Sequence, residues 1–332
     1  MTESFVPLNS SQKPITIQST KSANANNGLL YYVIKASYNS AYDGQNISLT
    51  ALDNVLARGC RFLDLEIYSI DEVPCVAYST DKTFSTLTSG NYLSLSTVLT
   101  EIAGNCFTGN VPNNKDPLFL HLRVNTTCGL TNEPACDIYQ KIATIINTTI
   151  FSQLYTDSTG LAIPITGTTI LSDLMGKIVI IMDTSIQRDY RNYAVCSSVS
   201  DSSDNIVENK CKTSFKNLVN IETGGTMWKK YKYSDFIQMS SNPLTIDSTN
   251  PQLAEPKQGT LALSLVLPDV GTNVQNASFP ISNIVSFGCQ TIALKFYQDD
   301  LALGAYEALF NQYGSAFVPI GYAIQYINES QQ

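Results

Sequence analysis

Apolar positions along this chain recur in two rhythms. Short runs that are apolar throughout, or that alternate apolar with polar, are separated by longer stretches with helical spacing. Residues 29–35 predict a strand ending in a polar turn at 36–44. Residues 49–58 predict a helix, with Leu49, Leu52, Val55 and Leu56 on one face and Gly59 at its stop. Residues 60–68 alternate, with Phe62, Asp64 and Glu66 on one side and Leu63, Leu65 and Ile67 on the other. Further strands are predicted at 74–78, 117–124, 177–182, 261–267 and 291–296. Helices are predicted at 93–103, 137–151 and 301–312, and a closing strand or extension at 317–322. The nearly pure apolar runs at 177–182, 261–267 and 291–296 have the pattern of parallel strands buried on both faces.

Alternating strands and helices imply parallel βαβ units in an α/β domain. One barrel of about 250 residues plus insertions accommodates the 332 residues. Residues 184–256 are polar and turn-rich and read as a long irregular insertion between two halves, 28–183 and 257–325. Residues 1–27 read as a flexible or partner-bound arm, and 326–332 as a tail.

Composition narrows the function classes. Charged residues make up only 14%, replaced by Ser, Thr, Asn and Tyr, which gives a neutral, hydrogen-bonding surface suited to protein partners or self-assembly, and equally to an extracellular protein. The net charge of −8 argues against nucleic acid and against electrostatic docking on anionic lipid. Arg188, Arg191, Lys229, Lys230 and Lys232 are close in sequence and read as a solvated face. No apolar run reaches membrane-spanning length, and the polar start is expected to be no secretory leader, so an intracellular, cytoplasmic setting is expected. The eight cysteines have no zinc spacing. Cys128 with Cys136 and Cys196 with Cys211 are near enough in sequence to bridge in an oxidising setting.

Three segments, in order, carry a resemblance. Tyr31-Tyr32-Val-Ile-Lys-Ala-Ser-Tyr38-Asn39-Ser40-Ala-Tyr42 resembles Tyr-Phe-Ile-x-Ser-Ser-His-Asn-Thr-Tyr. Gly59-Cys60-Arg61-Phe-Leu-Asp64-Leu-Glu66-Ile-Tyr68 resembles Gly-Cys-Arg-x-Val-Glu-Leu-Asp-x-Trp, and Gly288-Cys289-Gln290-Thr-Ile-Ala293-Leu294-Lys-Phe296 resembles Gly-Cys-Gln-x-Val-Ala-Leu-Asn-Phe. Leu301-Ala302 and Gly321-Tyr322 follow in matching places. These segments mark the two halves of the phosphoinositide-specific phospholipase C barrel, and the resemblance implies a TIM (β/α)8-type fold over residues 29–325.

The resemblance also implies a chemistry. Two imidazoles would shuttle protons at the inositol 2-hydroxyl and the leaving oxygen. A calcium ion on an Asn, two carboxylates and a further Glu would neutralise the phosphate. Here Tyr38 stands at the first imidazole position and Ser79 at the second, and His121 is the only histidine, so two imidazoles are excluded by counting. Asn39, Asp64 and Glu66 keep the ligand pattern with the acids exchanged, but Arg123 stands where the further Glu belongs. A guanidinium there repels calcium and is expected to pair with Asp64 or Glu66, so no cofactor is expected and calcium only if the ligand set is retained. Ile181 and Asp183 occupy positions of expected phosphate-binding lysines.

Period-2 parity puts His121 with Arg123, and Asp64 with Glu66, on single strand faces, hence in one charged cluster at the barrel mouth if all point inward. Such a cluster is either a residual polar pocket or an ion-pair network plugging a dead site. Trp228 with Lys229 and Lys230 reads as packing of the insertion onto the barrel, or as an interfacial anchor. The function expected is a catalytically inactive phospholipase C-like barrel, a structural or interaction module such as a minor virion component of a large DNA virus. The alternative is a phosphodiesterase that works without a histidine pair. Headgroup binding without turnover is disfavoured by the missing lysines and the negative charge.

Overall fold

The computed structural model describes residues 15–125, 138–188, 190–193, 214–237, 262–271 and 288–330. In chain order its strands are β1 (Tyr32–Ser37), β2 (Phe62–Ile70), β3 (Val73–Val76), β4 (Leu93–Ser94), β5 (Leu118–Val124), β6 (Ile178–Asp183), β7 (Ile221–Thr223), β8 (Trp228–Lys232), β9 (Leu263–Leu267), β10 (Thr291–Leu294) and β11 (Phe317–Pro319). Eight of them, β1, β2 and β5 to β10, pair in parallel in chain order, and β1 closes the ring by pairing with both β2 and β10. The molecule is therefore a closed eight-stranded parallel barrel. Helices α1 (Leu49–Ala57), α2 (Leu95–Asn105), α3 (Ile138–Thr149), α4 (Tyr190–Tyr193), α5 (Tyr233–Ile237), α6 (Leu301–Tyr313) and α7 (Ile320–Ser330) accompany it. Among the described residues no helix is long and apolar enough to cross a membrane.

Local chemistry sets the helix ends. Ser48, Ser94 and Asp300 cap α1, α2 and α6 by accepting from the backbone N–H three residues on. Gly59, just after α1, has φ +81 and lies under Ile17, whose Cγ2 is 3.0 Å from where a Cβ would stand. Only glycine meets both demands.

The barrel floor is aromatic. Trp228 is fully buried, its ring 5.9 Å from Phe62 and 6.2 Å from Phe119, while Phe317 packs on Tyr32 and Phe119. Polar residues of the family-like segments stitch the strands together. Gln290 donates from Nε2 to the carbonyls of Leu30 (3.1 Å) and Gly288 (2.7 Å) and accepts from Ser264 N at 2.8 Å. Arg61 donates to the carbonyls of Cys106 and Asn113. These two polar side chains hold the fold and take no part in the mouth.

Several expectations are corrected. Residues 184–256 are not simply an insertion, because they supply β7 and β8. The first has three residues and the second is lysine-rich, so neither resembles a buried apolar run. Trp228 is accordingly a barrel-core residue and neither an anchor nor an insertion contact. Residues 15–27 pack on the chain's own barrel, with Ile17 and Ala25 buried and Gln18 N bonded to Gly314 O at 3.0 Å. Residues 1–14 lie outside the described set. The presumed tail begins inside α7, where Ile327 is buried. Residues 317–322 form β11, antiparallel to β1 outside the ring, and the start of α7. Residues 73–76 form an antiparallel hairpin strand on β2 and no stave of the barrel. Residues 29–31 are a short 3-10 helix leading into β1. Of the described cysteines, Cys60, Cys75 and Cys106 are free, and these three and Cys289 are buried. Cys128, Cys136, Cys196 and Cys211 lie outside the described residues.

The N-terminal strap has its own electrostatic consequence. Asp116 accepts from Thr20 N at 2.6 Å and from Thr20 Oγ1 at 3.2 Å, and that hydroxyl also meets Ser315 Oγ at 2.8 Å. Burial pushes the Asp116 carboxyl up to about 6, with Thr20 and Arg61 offsetting only part of the effect. A carboxyl raised on folding contributes stability that is full below its unfolded value near pH 4 and lost as pH rises through its folded value. Unfolding free energy should therefore decline between those limits, and the decline should be smaller in Asp116→Asn by on the order of 2 kcal/mol. Urea titrations of both proteins across the window check this. Parallel profiles would refute it.

Candidate functional site

The strands run from an apolar floor to a polar mouth because polar side chains cluster at their C-terminal ends. Parallel pairing of β2 with β5 sets Asp64 beside His121 and Glu66 beside Arg123, all four on the inner face as parity implied. After β1 the chain turns through Asn39, whose φ of +44 is left-handed, a conformation Asn tolerates better than most residues. Ser40 locks this turn to β2, since its Oγ accepts from Asp64 N at 2.9 Å and its N–H donates to Asp64 O at 2.9 Å.

Arg123 occupies the centre. It donates from Nε to Asp64 Oδ1 (2.8 Å), from Nη2 to Asp64 Oδ2 (2.7 Å) and Asn39 Oδ1 (2.8 Å), and from Nη1 to Glu66 Oε1 (2.5 Å). Its Cζ stands 4.9 Å from the centre of the Tyr38 ring, a cation–π contact. Asp64 also accepts from Asn39 N at 3.0 Å and bonds His121 Nδ1 at 2.8 Å. The other imidazole nitrogen, Nε2, is 2.8 Å from Thr223 Oγ1 on β7. Glu66 Oε2 accepts from Ser79 N at 3.2 Å. Asp64, Glu66 and His121 are 0% exposed and Arg123 is 4% exposed, so no substrate atom reaches the carboxylates without displacing protein.

Charge states follow from these contacts. Burial alone would raise the Asp64 carboxyl, but the Arg123 charge and the His121 and Arg123 hydrogen bonds outweigh it and hold the group well below the usual range. An ionised Asp64 only accepts, so His121 Nδ1 carries a proton toward it. Glu66 is raised. Burial and the neighbouring Asp64 charge outweigh the Arg123 contact there, because Asp64 takes two of the guanidinium donors and Glu66 one. Burial lowers Arg123, yet the two carboxylates more than restore it and it stays charged.

A second pair completes the mouth. Asp183, at the end of β6, accepts from Lys230 of β8, whose Nζ also reaches Ser185 Oγ at 2.8 Å. Burial would raise Asp183, but Lys230 holds it below the usual range. Lys230 is thus part of the mouth and not of a solvated face, while Arg191 pairs with Glu222 at 2.6 Å on the outside. Ile181 lies inside, level with His121. Tyrosines roof the cluster: Tyr42 lies 4.5 Å from Tyr78 and 4.8 Å from Tyr297, and Tyr38 meets Tyr78 edge-on. Tyr38 packs on the guanidinium. Ser79 Oγ donates to Thr86 O at 2.5 Å and accepts from Asp81 N at 3.0 Å. Tyr38 and Ser79 are thus engaged in a cation–π contact and in two hydrogen bonds.

The donor set does not fit calcium. Two carboxylates and an amide carbonyl are suitable oxygens, but the four that converge here are all bonded to the Arg123 guanidinium. Sequence reading found Asn39, Asp64, Glu66, His121 and Arg123, and the structure brings them together. It missed Thr223, the Lys230–Asp183 pair and the tyrosine roof. The shared parity of Trp228 and Lys230 was the only available signal for Lys230. Thr223, at the end of a three-residue strand, left none.

No protein-family model matches the sequence, and no curated protein does. Solved structures do. PLC21 of L. pealei aligns with a TM-score of 0.57 and 15% identity, over 89% of this chain and 37% of that one. PLC21 of S. officinalis gives 0.56 and 15% over the same shares. The phosphatidylinositol-specific phospholipase C of Listeria monocytogenes gives 0.50 and 14% identity over 90% of this chain and 99% of that one. The chain thus spans about 37% of the length of the two PLC21 structures. The likeness is one of fold: the chain forms a closed parallel barrel similar to those of the phospholipase C structures.

Removing Arg123 leaves two buried carboxylates without a cation. Arg123→Ala should cost roughly 3–5 kcal/mol of unfolding free energy. Arg123→Lys should recover only part of that, since an ammonium cannot grip Asp64 at two points and reach Glu66 as well. Urea denaturation near neutral pH measures both, and wild-type stability in Arg123→Lys would contradict the assignment.

Proposed function

We propose that this chain is a phospholipase C-type barrel that does not turn over phosphodiesters and serves as a structural or interaction module. The observation that carries the reading is the Arg123 guanidinium, bonded at once to Asp64, Glu66 and Asn39 under a tyrosine roof. A single imidazole in the whole chain adds to it, because a two-step proton shuttle needs a second group titrating near neutrality. On this reading the protein needs no calcium and its partners are proteins or further copies of itself, in an intracellular setting. Low charge density favours residence in an assembly, and a virion of a large DNA virus is the setting we favour. Detection in purified particles at a fixed ratio to the shell protein tests that setting, and absence from them removes it.

One observation favours a second reading. Thr223 Oγ1, His121 and Asp64 form a relay with both links at 2.8 Å, the arrangement by which an imidazole takes a proton from a hydroxyl. All three are buried, so the relay serves a reaction only if the mouth opens. Assays with phosphatidylinositol and simple glycerophosphodiesters, with and without calcium, discriminate the two. The expected outcome is no turnover above background. Turnover abolished by Asp64→Asn or Thr223→Val would establish the second reading instead.

A further inference from the structure

The strap begins beside a row of tyrosines, on the side of the barrel away from the mouth. Thr16 donates from N to Asn311 Oδ1 (3.4 Å) and from Oγ1 to Asn311 O (2.5 Å), and Gln18 N donates to Gly314 O at 3.0 Å. These contacts bracket Tyr313, the last residue of α6. The Tyr313 ring lies 4.8 Å from the ring of Tyr322 on α7. Tyr326 follows Tyr322 by four residues and so lies on the same side of that helix. All three tyrosines pack against the buried cluster that holds Ile17, Val318 and Ile320, and all three stay partly exposed. Ile15, just ahead of Thr16, is 43% exposed. An apolar surface tipped with hydroxyls therefore stands where residues 1–14 join the strap, and tyrosines suit contacts that are apolar at one end and wet at the other.

We infer that Phe5, Val6, Pro7 and Leu8 of the same chain dock on the row formed by Tyr313, Tyr322 and Tyr326. These four are the apolar run of residues 1–14, set between polar stretches at 2–4 and 9–13. Leu8 stands seven residues before Ile15, a reach of up to about 25 Å in extended form, while Tyr322 and Tyr326 are about 6 Å apart along their helix. Proline at position 7 biases the residue before it toward extended backbone, the form in which proline-containing segments dock on aromatic side chains. The tether decides between copies. A segment joined by a short linker meets its own barrel at an effective concentration of millimolar order, which a second copy in solution does not match.

Chymotrypsin cleaves after Phe5, and release of the first five residues is followed by mass spectrometry. Cleavage reports how often the segment is undocked when docking exchanges faster than the protease cuts. In the full chain it should be at least about tenfold slower than in a synthetic peptide of residues 1–14, and the slowing should not change with protein concentration. Tyr322→Ser should return cleavage to the peptide rate, and so should Leu8→Ser, which leaves the barrel untouched. Melting curves of both variants are taken alongside, and where Tyr322→Ser fails to fold, Leu8→Ser decides. Wild-type cleavage at the peptide rate would overturn the inference, as would slowing that survives the substitutions. Slowing that grows with protein concentration would assign the seat to the arm of a second copy and overturn it equally.

Discussion

Two carboxylates buried side by side at the end of a barrel require positive charge within a few ångströms, and here one guanidinium supplies it. The rest of the mouth is consistent with that constraint. Asp64 stays ionised because Arg123 grips it at two points, and His121 is oriented because an ionised Asp64 can only accept. Tyr38 has a place because a flat cation presents a face to stack on. A cation supplied by a side chain makes the cluster independent of solution composition, and it fills the centre of the mouth. The same contacts therefore account for both the order of this region and its inaccessibility.

Floor and mouth obey different rules. On the floor, Phe62, Phe119, Trp228 and Phe317 fill volume, and Arg61 and Gln290 satisfy backbone carbonyls that would otherwise be buried without partners. These demands belong to any barrel of this shape, whatever its activity. At the mouth the polar residues instead balance one another's charge.

What was legible in the sequence divides along the same line. Asp64, Glu66, His121 and Arg123 sit on long strands where alternation fixes the face, so their convergence was readable once the strands were recognised. Strand β7, with three residues, and β8, where lysines follow Trp228, carry no such alternation. Two staves of the barrel were consequently mistaken for an insertion, and Thr223 and the Lys230–Asp183 pair went with them. The strap before β1 was misjudged because its only anchors are isolated: Ile17 against Gly59, and Thr20 against Asp116 and Ser315. Such contacts join residues far apart in the chain and leave no local periodicity.

The stagger of the barrel leaves the lower part of β1 uncovered on the side where β2 joins only at Ala36 and Ser37. Strand β11 fills that gap, pairing Pro319, Val318 and Phe317 with Tyr32, Val33 and Ile34. An open ladder at this seam would invite a foreign strand, by the route that leads proteins into edge-to-edge aggregation. With the seam occupied by the chain's own C-terminal segment, any neighbour approaching β1 must bind through side chains and shape, not by extending the sheet.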